Sequence, residues 1–560
     1  MSVPLDECGL IFGDSKFHAI RRSGLLASID EGGLSEKGCM VMRTFLLRLF
    51  NTEFGARSAI SVLALILFAV GFCSTLRAYE KPLWYDELCT VILCRLQSAS
   101  EIWRALDSAA DGNPPLFYLV ARLGRQLIPD DHLGYRLPSI LGLLATLLCT
   151  YAVLCKRVDR LSALAGAAFV LCTPLAAYAF EARPYALMVG CVSAAILAWQ
   201  RVDHSRLYVL ALAITLFAAL SLHYYAVLVW PAFVLAEASI WVGSRRFRPG
   251  TWVALLSGAT PLVIFGNLLL HLRRYYGQNF WARPSLAQFL SAPSYLFNVL
   301  DYWGPSLTGG AIVILLFWSV GQLLRSPSSA WRDIGQCPPI EECALTAVLL
   351  LLPVLGIAGA RVSGGGMSPR YMLPTILGGA LAVGYLTSKA PHAVRVLLLA
   401  LLLANYGLGS APVVKDAVKG SLLRNRAGAA RDVEKLVLGY RESGLPIVVS
   451  SGLQYLPMAY YSPPMHNGGL YALVDPPAAV TFAKSDSVDL GLLVLRNYFP
   501  LQVEEYPKFA SKHREFILVS DGGGFDWWPS RLSRDGHTLS LVSADARART
   551  YKVVLRRQIP

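Results

Sequence analysis

Long apolar runs joined by short polar links make up most of the chain. A membrane helix needs roughly 20 mostly apolar residues, and about eleven runs reach that scale, near 58–77, 137–155, 161–180, 184–200, 207–222, 225–242, 251–270, 307–324, 343–360, 371–388 and 393–410. The stretch 114–128, PPLFYLVARLGRQLI, is apolar but short and carries Arg122 and Arg125, so it is expected to lie at the interface and not to cross. From about residue 411 the pattern changes: AARDVEKLVLGYRESG has helical periodicity, LPIVVSS and LQYLPMAYY follow, and DLGLLVLRN, REFILVSD, HTLSLVSA and TYKVVLRR read as strands. A helix leading into buried strands predicts a small α/β domain with a parallel core. The fold class expected is therefore an α-helical polytopic membrane protein with a C-terminal α/β domain.

Residues 1–56 precede the first run, are polar and Gly/Ser-containing over their first forty, and lack the layout of a cleavable signal peptide. They are expected to be a disordered cytoplasmic extension, with Met40 and Met42 as plausible alternative starts. The expected organisation is then 1–56 as extension, 57–410 as membrane domain with a first outer loop at 78–136, and 411–560 as an extracytoplasmic domain.

With 114–128 kept out of the bilayer, the links CKRVDR, QRVDHSR, SRRFRPG, RSPSSAWRD and SKAPHAVR all fall on one side. The positive-inside bias makes that side cytoplasmic. The opposite face collects 78–136, EARPY at 181–185, HYY at 223–225, HLRRYYGQNFWARP at 271–284 and RVSGGGMSPRYMLP at 361–374. Arg136, Arg183, Arg273, Arg274, Arg361 and Arg370 lie there against the bias. A guanidinium cluster at membrane level suits bidentate capture of phosphate, while single arginines at helix ends also snorkel to headgroups.

Composition sharpens this picture. The 560 residues are 54% hydrophobic and 16% charged, which removes the chain from the soluble globular class. The net charge of +14 is scattered over short loops and forms no basic stripe, so nucleic acid is not an expected partner and anionic lipid is. Eleven cysteines include no CxxC pair and read as apolar filler; Cys89 and Cys94 are not expected to be bridged. The C-terminal part has no Gly-rich phosphate motif, and the tryptophans of DGGGFDWW are either core or a sugar-binding surface. No DxD or His/Asp pattern marks a metal site on the outer face, and a metal-independent reaction is expected.

The adjacent carboxylates of KPLWYDELCT, Asp86 and Glu87, stand behind Trp84 and Tyr85, which would fix them at interface depth. At a helix start they would also suit the helix dipole without any catalytic role. For a sugar carried on a lipid phosphate, the leaving group is already good. One general base for the incoming hydroxyl and cations for the departing phosphate would suffice, through an oxocarbenium-like transition state. A transporter or lipid flippase is the alternative from another class, but its usual mid-span carboxylates are missing from the runs; Glu237 lies towards a cytoplasmic end.

LWYDEL, GNPPLFYL, YRLPSILG, EARPYAL, LHYYAVL and SPRYMLP occur in that order. Together they resemble the GT-C class of membrane glycosyltransferases, most of all the bacterial relatives of the protein O-mannosyltransferases and of the aminoarabinose transferase of lipid A. The resemblance covers about residues 58–410. It implies an inverting transfer from a polyprenyl-phosphate sugar to a glycan, glycolipid or protein, in a bacterial inner membrane with the site facing the periplasm, and no cofactor beyond the donor. It maps the essential carboxylate onto Asp86 with Glu87 beside it, and a second acidic residue onto Glu181. The substrate-binding candidates are Tyr85, Asn113, Arg136, Arg183, Tyr185, His223, Tyr224, Arg370 and Tyr371. Relatives place Lys or His where this chain has Asn113, which leaves two readings: the clamp shifts to Arg183 or Arg370, or Asp111 and Asn113 contact sugar hydroxyls. His223 is either a packed interfacial residue or a donor to the lipid phosphate, and the GGGMS segment before Arg370 suggests a gate over bound lipid.

Overall fold

The computed structural model describes residues 55–297, 300–301, 304–305, 338–428, 431, 435, 439–440, 443–461, 469–544 and 548–556. Two compact units divide the chain, one through Glu53–Gly428 and one holding Ala429–Pro560. The expected N-terminal extension up to residue 54, the apolar run at 307–324 and most of the helical stretch at 429–444 lie outside the described residues.

In the first unit, Ala56–Glu80 (α1), Asp131–Leu154, Tyr224–Ser244 and His392–Val418 are long and apolar enough to cross a membrane. Two bent pairs meet the same standard together: Pro249–Ile264 with Gly266–Tyr276 at 48°, and Ile340–Leu350 with Leu352–Ser363 at 56°. Arg160–Cys172, Tyr185–Trp199, Arg206–Leu222 and Thr375–Thr387 are shorter apolar helices. Every expected run within the described residues falls on one of these elements, and the chain is an integral membrane protein. The 161–180 run breaks at Pro174, which ends one helix and opens the short turn Leu175–Tyr178. The 114–128 stretch forms a helix of 12 residues, Leu116–Leu127. At 1.5 Å per residue it spans about 18 Å, too little for a bilayer core of about 30 Å. Cys89 and Cys94 are free thiols.

Three further helices matter for the site: Tyr85–Cys94 (α2), Asp131–Leu154 (α3) and Tyr185–Trp199 (α4). Helix α3 is capped by Asp130, whose carboxylate accepts the amides of His132 at 3.0 Å and Leu133 at 2.9 Å. Helices α3 and α4 pack backbone to backbone. A Cβ on Gly190 would stand 2.7 Å from the Gly142 carbonyl oxygen, and one on Gly142 would stand 2.4 Å from the Leu187 backbone. Without a hydrophobic drive between helices in lipid, such close approach supplies the attraction. It also brings the first turn of α4 against α3, where the Ser139 hydroxyl donates to the Arg183 carbonyl at 2.9 Å.

Among the described residues of the second unit, six strands form one sheet: β1 (Ile447–Val449), β2 (Leu470–Val474), β3 (Val503–Glu505), β4 (Glu515–Ser520), β5 (Thr538–Ala544) and β6 (Arg549–Val554), in spatial order β3-β2-β1-β4-β6-β5. The first four run parallel, with Val448 opposite both Tyr471 and Leu518, and β6 and β5 add an antiparallel edge. The segment DLGLLVLRN, expected as a strand, is helical over Ser487–Leu495. Parallel neighbours need a crossover, and this helix, with Pro476–Ala483, provides it between β2 and β3. Trp527 and Trp528 are core, packed with Phe509, Phe516 and Val553, and the Trp528 indole donates to the Leu473 carbonyl at 3.2 Å.

Candidate active site

Pro82 stops α1 from running on, because it lacks the amide that the next helical bond would use. The chain re-enters a helix at Tyr85, so Asp86 and Glu87 both occupy the first turn of α2, where the free N–H groups favour negative charge. Successive helical side chains diverge by about 100°, and the two carboxylates go separate ways. Glu87 is wholly buried, while Asp86 keeps 18% of its side chain exposed.

Glu87 meets Arg136 of α3 in a bidentate pair, with Arg136 Nε donating to Oε1 and Nη2 to Oε2, both at 2.7 Å. Arg136 also donates to the carbonyls of Ala78 at 2.6 Å, Lys81 at 2.7 Å and Pro82 at 3.1 Å. A guanidinium carries five N–H donors, so all of them are committed and none is left for a substrate. The Ala182 amide donates to Glu87 Oε1 at 2.6 Å, which ties the EARPY segment to α2. Burial by itself pushes the Glu87 carboxyl up, but the Arg136 and Lys81 charges and the bonds from Arg136 and Ala182 outweigh it and hold the group below the usual carboxylate range. Glu87 and Arg136, expected among the catalytic and substrate-binding residues, thus form a buried clasp whose guanidinium donors are all taken up within the protein.

The other three carboxylates are paired as well. Arg370 Nη1 donates to Asp86 Oδ2 at 2.7 Å. Arg183 Nη1 reaches Asp111 Oδ2 at 2.7 Å and the Asp86 carbonyl at 2.9 Å. Lys81 Nζ donates to Glu181 Oε1 at 2.6 Å. Segments as distant in sequence as 81–87, 111, 181–183 and 370 therefore meet in one cluster of four acids matched by four cations.

Aromatic rings wall the cluster. The Arg370 guanidinium lies 4.9 Å from the Trp281 ring centroid, 5.8 Å from Tyr371 and 5.9 Å from Tyr185, within cation–π range. Tyr371 stacks on Tyr225 at 4.6 Å, and His223 stands 5.2 Å from Tyr371 and 5.3 Å from Tyr185. His223 Nδ1 accepts the Tyr225 amide at 3.3 Å. Burial first, then the Arg183 and Arg370 charges, lower the imidazole to about 3, so it stays neutral at physiological pH and can donate from Nε2. The glycine segment packs closely: the Met367 amide donates to the Ala282 carbonyl at 2.7 Å, the Tyr225 hydroxyl donates to the Gly366 carbonyl, and a Cβ on Gly366 would collide with the Phe280 ring.

Among the described residues, Trp84 Nε1, Asn113 Nδ2, Glu181 Oε2, Arg183 Nε and Arg370 Nε are buried around this cluster without a protein hydrogen-bond partner. A buried unpaired polar atom costs about 1–3 kcal/mol, so a polar ligand that pairs with several of them would gain by doing so. Tyr85 opens α2 at the edge of the cluster, and Tyr224 begins the turn that follows His223. Arg273, Arg274 and Arg361 are exposed, apart from the four pairs. Two members were not singled out from sequence. Lys81 carries the signal of a cation directly after the first span; Trp281 sits in the 271–284 stretch, marked there by its arginines and aromatic rings.

The comparisons bear on the same region. The family model described as dolichyl-phosphate-mannose-protein mannosyltransferase matches residues 112–270. No curated protein sequence matches. Two crystal structures of ArnT from Cupriavidus metallidurans share the fold, one bound to undecaprenyl phosphate at 13% identity and one in the apo state at 14% identity. Each has a TM-score of 0.50 and covers 89% of this chain and 98% of the other. In sequence over that segment, and in fold over most of its length, the chain resembles the GT-C membrane glycosyltransferases of the protein O-mannosyltransferase and ArnT type.

Proposed function

We propose that the protein is an inverting glycosyltransferase that moves a sugar from a polyprenyl-phosphate donor to an acceptor hydroxyl at the extracytoplasmic face of a bacterial inner membrane, within a body of about eleven membrane helices. The observation that carries this reading is the convergence of Asp86, Glu181, Arg183 and Arg370, with their unpaired buried atoms, into one cluster beside the end of α1. The undecaprenyl phosphate held by the ArnT crystal structure supports a donor of that class.

In this mechanism Asp86, the more open of the two adjacent carboxylates, takes the proton of the acceptor hydroxyl. The acceptor oxygen bonds to the anomeric carbon as the bond from that carbon to the phosphate oxygen breaks, and the phosphate leaves with the electron pair. Attack opposite the leaving group inverts the centre. Arg370 and Arg183 meet the charge that builds on phosphate, and neutral His223 adds a hydrogen bond. Glu181 Oε2 and Asn113 Nδ2, buried without a partner among the described residues, read sugar hydroxyls in this mechanism, and Tyr85, Tyr185, Tyr224 and Tyr371 shape the wall. Transport fits less well, since the buried carboxylates Glu237 and Glu342 are bound to Arg248 and Arg157 beside the basic links.

The test is a deletion strain whose envelope glycans are profiled. The glycan signal lost on deletion should return with the wild-type gene and stay absent with Asp86→Asn expressed at equal level, because losing a general base costs about 10²–10⁴-fold in rate. Full restoration by Asp86→Asn would refute the assignment.

A further inference from the structure

Every acid in the cluster has its own cation, and so every cation is already engaged before an anionic donor arrives. A phosphate must take one of them from a carboxylate. Arg136 is wholly buried with all donors committed, and Arg183 is held by Asp111, by the Asp86 carbonyl and by Thr90 Oγ1 at 3.3 Å. Arg370 differs from both. Its ion pair goes to Asp86, its other side-chain bond is to the neutral Tyr371 hydroxyl, its Nε has no protein partner among the described residues, and its guanidinium lies among the rings of Trp281, Tyr185 and Tyr371, which attract a cation from several sides. Lys81 is also held by one carboxylate, Glu181, but an ammonium lacks the fork that fits phosphate.

We propose that Arg370 is shared in turn by two anions: it masks Asp86 while the donor site is empty, and the donor phosphate draws it away, so that Asp86 becomes a free base only when donor is in place. Trp281 is the positioning residue of this exchange, the ring on which the guanidinium turns. The inference rests on the reading of the site as a polyprenyl-phosphate sugar transferase and adds the order of events to it. An acid left paired cannot activate water against a bound or passing donor, and acceptor activation follows donor binding.

The exchange has a signature that simple catalysis lacks, because removing the competing carboxylate frees the cation. Undecaprenyl phosphate binding to the full chain in detergent is measured for wild type, Asp86→Asn, Arg370→Ala and the double variant. Asp86→Asn should tighten binding roughly tenfold, a coupling of the usual size between linked sites, and in the Arg370→Ala background the same change should gain little. Should Arg370→Ala fail to fold, Arg370→Lys replaces it, with a reduced gain expected. Trp281→Ala should lower the gain while Trp281→Phe keeps most of it. Equal tightening in both Arg370 backgrounds would mean plain charge repulsion and overturn the exchange, as would coupling found between Glu181→Gln and Lys81→Ala instead. Absence of undecaprenyl phosphate binding to the wild type would overturn the transferase reading itself, whereas binding without coupling would overturn only the exchange.

Discussion

Changing Arg136 to Met tests whether the buried pair fastens the site or takes part in the reaction. Arg136 and Glu87 are both fully buried, and removing one partner strands the other charge in a dry setting, which costs about 3–5 kcal/mol. The substitution also frees three carbonyls, of Ala78, Lys81 and Pro82, each worth about 1–3 kcal/mol if it stays unpaired. Relaxation will recover part of this, so about 4 kcal/mol is the working expectation, or roughly a thousandfold against the docked position of α2. Heat challenge of the detergent-purified protein, followed by size-exclusion chromatography, should show a loss of several degrees for Arg136→Met. The double variant Arg136→Met with Glu87→Met should regain part of it, because an apolar pair no longer buries a lone charge. An Arg136→Met protein as stable as wild type but inactive would refute the reasoning, since the guanidinium would then act on substrate and not on the fold.

The two remaining predictions concern packing and pH. Gly190→Ala forces a methyl to within 2.7 Å of the Gly142 carbonyl oxygen, a backbone atom that cannot step aside, so the heat-challenge midpoint should fall by an amount equivalent to about 1–3 kcal/mol; an unchanged midpoint would contradict the contact. In the second unit, burial, opposed by the Asp475 amide and aided by the Asp475 and Asp486 charges, raises the Asp489 carboxyl to about 7, against about 3.9 when unfolded. The folded state then keeps a proton that the unfolded chain has lost, so this contribution is fully present below about pH 4 and fades as pH rises towards 7. Hydrogen exchange over 470–495, corrected for intrinsic rates, should show less protection at pH 8 than at pH 5 in the wild type and a flatter profile in Asp489→Asn; identical profiles would exclude the shift.

Hydropathy made the helical body legible because a bilayer allows few ways to satisfy a backbone, and each described run falls on a helix or a bent pair, the 161–180 run passing Pro174 into the short turn Leu175–Tyr178. The second unit was harder. REFILVSD, HTLSLVSA and TYKVVLRR read as strands and contain β4, β5 and β6, and the apolar run LPIVVSS holds β1, whereas LYALV and β3 carried no such mark, and Ser487–Leu495 is apolar enough to pass for a strand. Within the site, Asp86 could be found because it follows the first span in a recognisable motif. What Glu87 does could not, since its partner lies 49 residues on and nothing in the local pattern distinguishes Arg136 from Arg370. The outward arginines looked alike in sequence; tertiary contacts divide them into Arg136, Arg183 and Arg370 inside and Arg273, Arg274 and Arg361 exposed.

One guanidinium holds the last turn of α1, the bend at Lys81–Pro82 and the opening of α2 together. These pieces must travel as a single rigid block, and the acid at position 86 inherits that stillness. The segments 280–282 and 366–367 are joined differently, by the Met367 amide hydrogen bond to the Ala282 carbonyl and the close approach of Gly366 to the Phe280 ring. Any shift of the last turn of α1, by contrast, is passed to Asp86 through a single side chain.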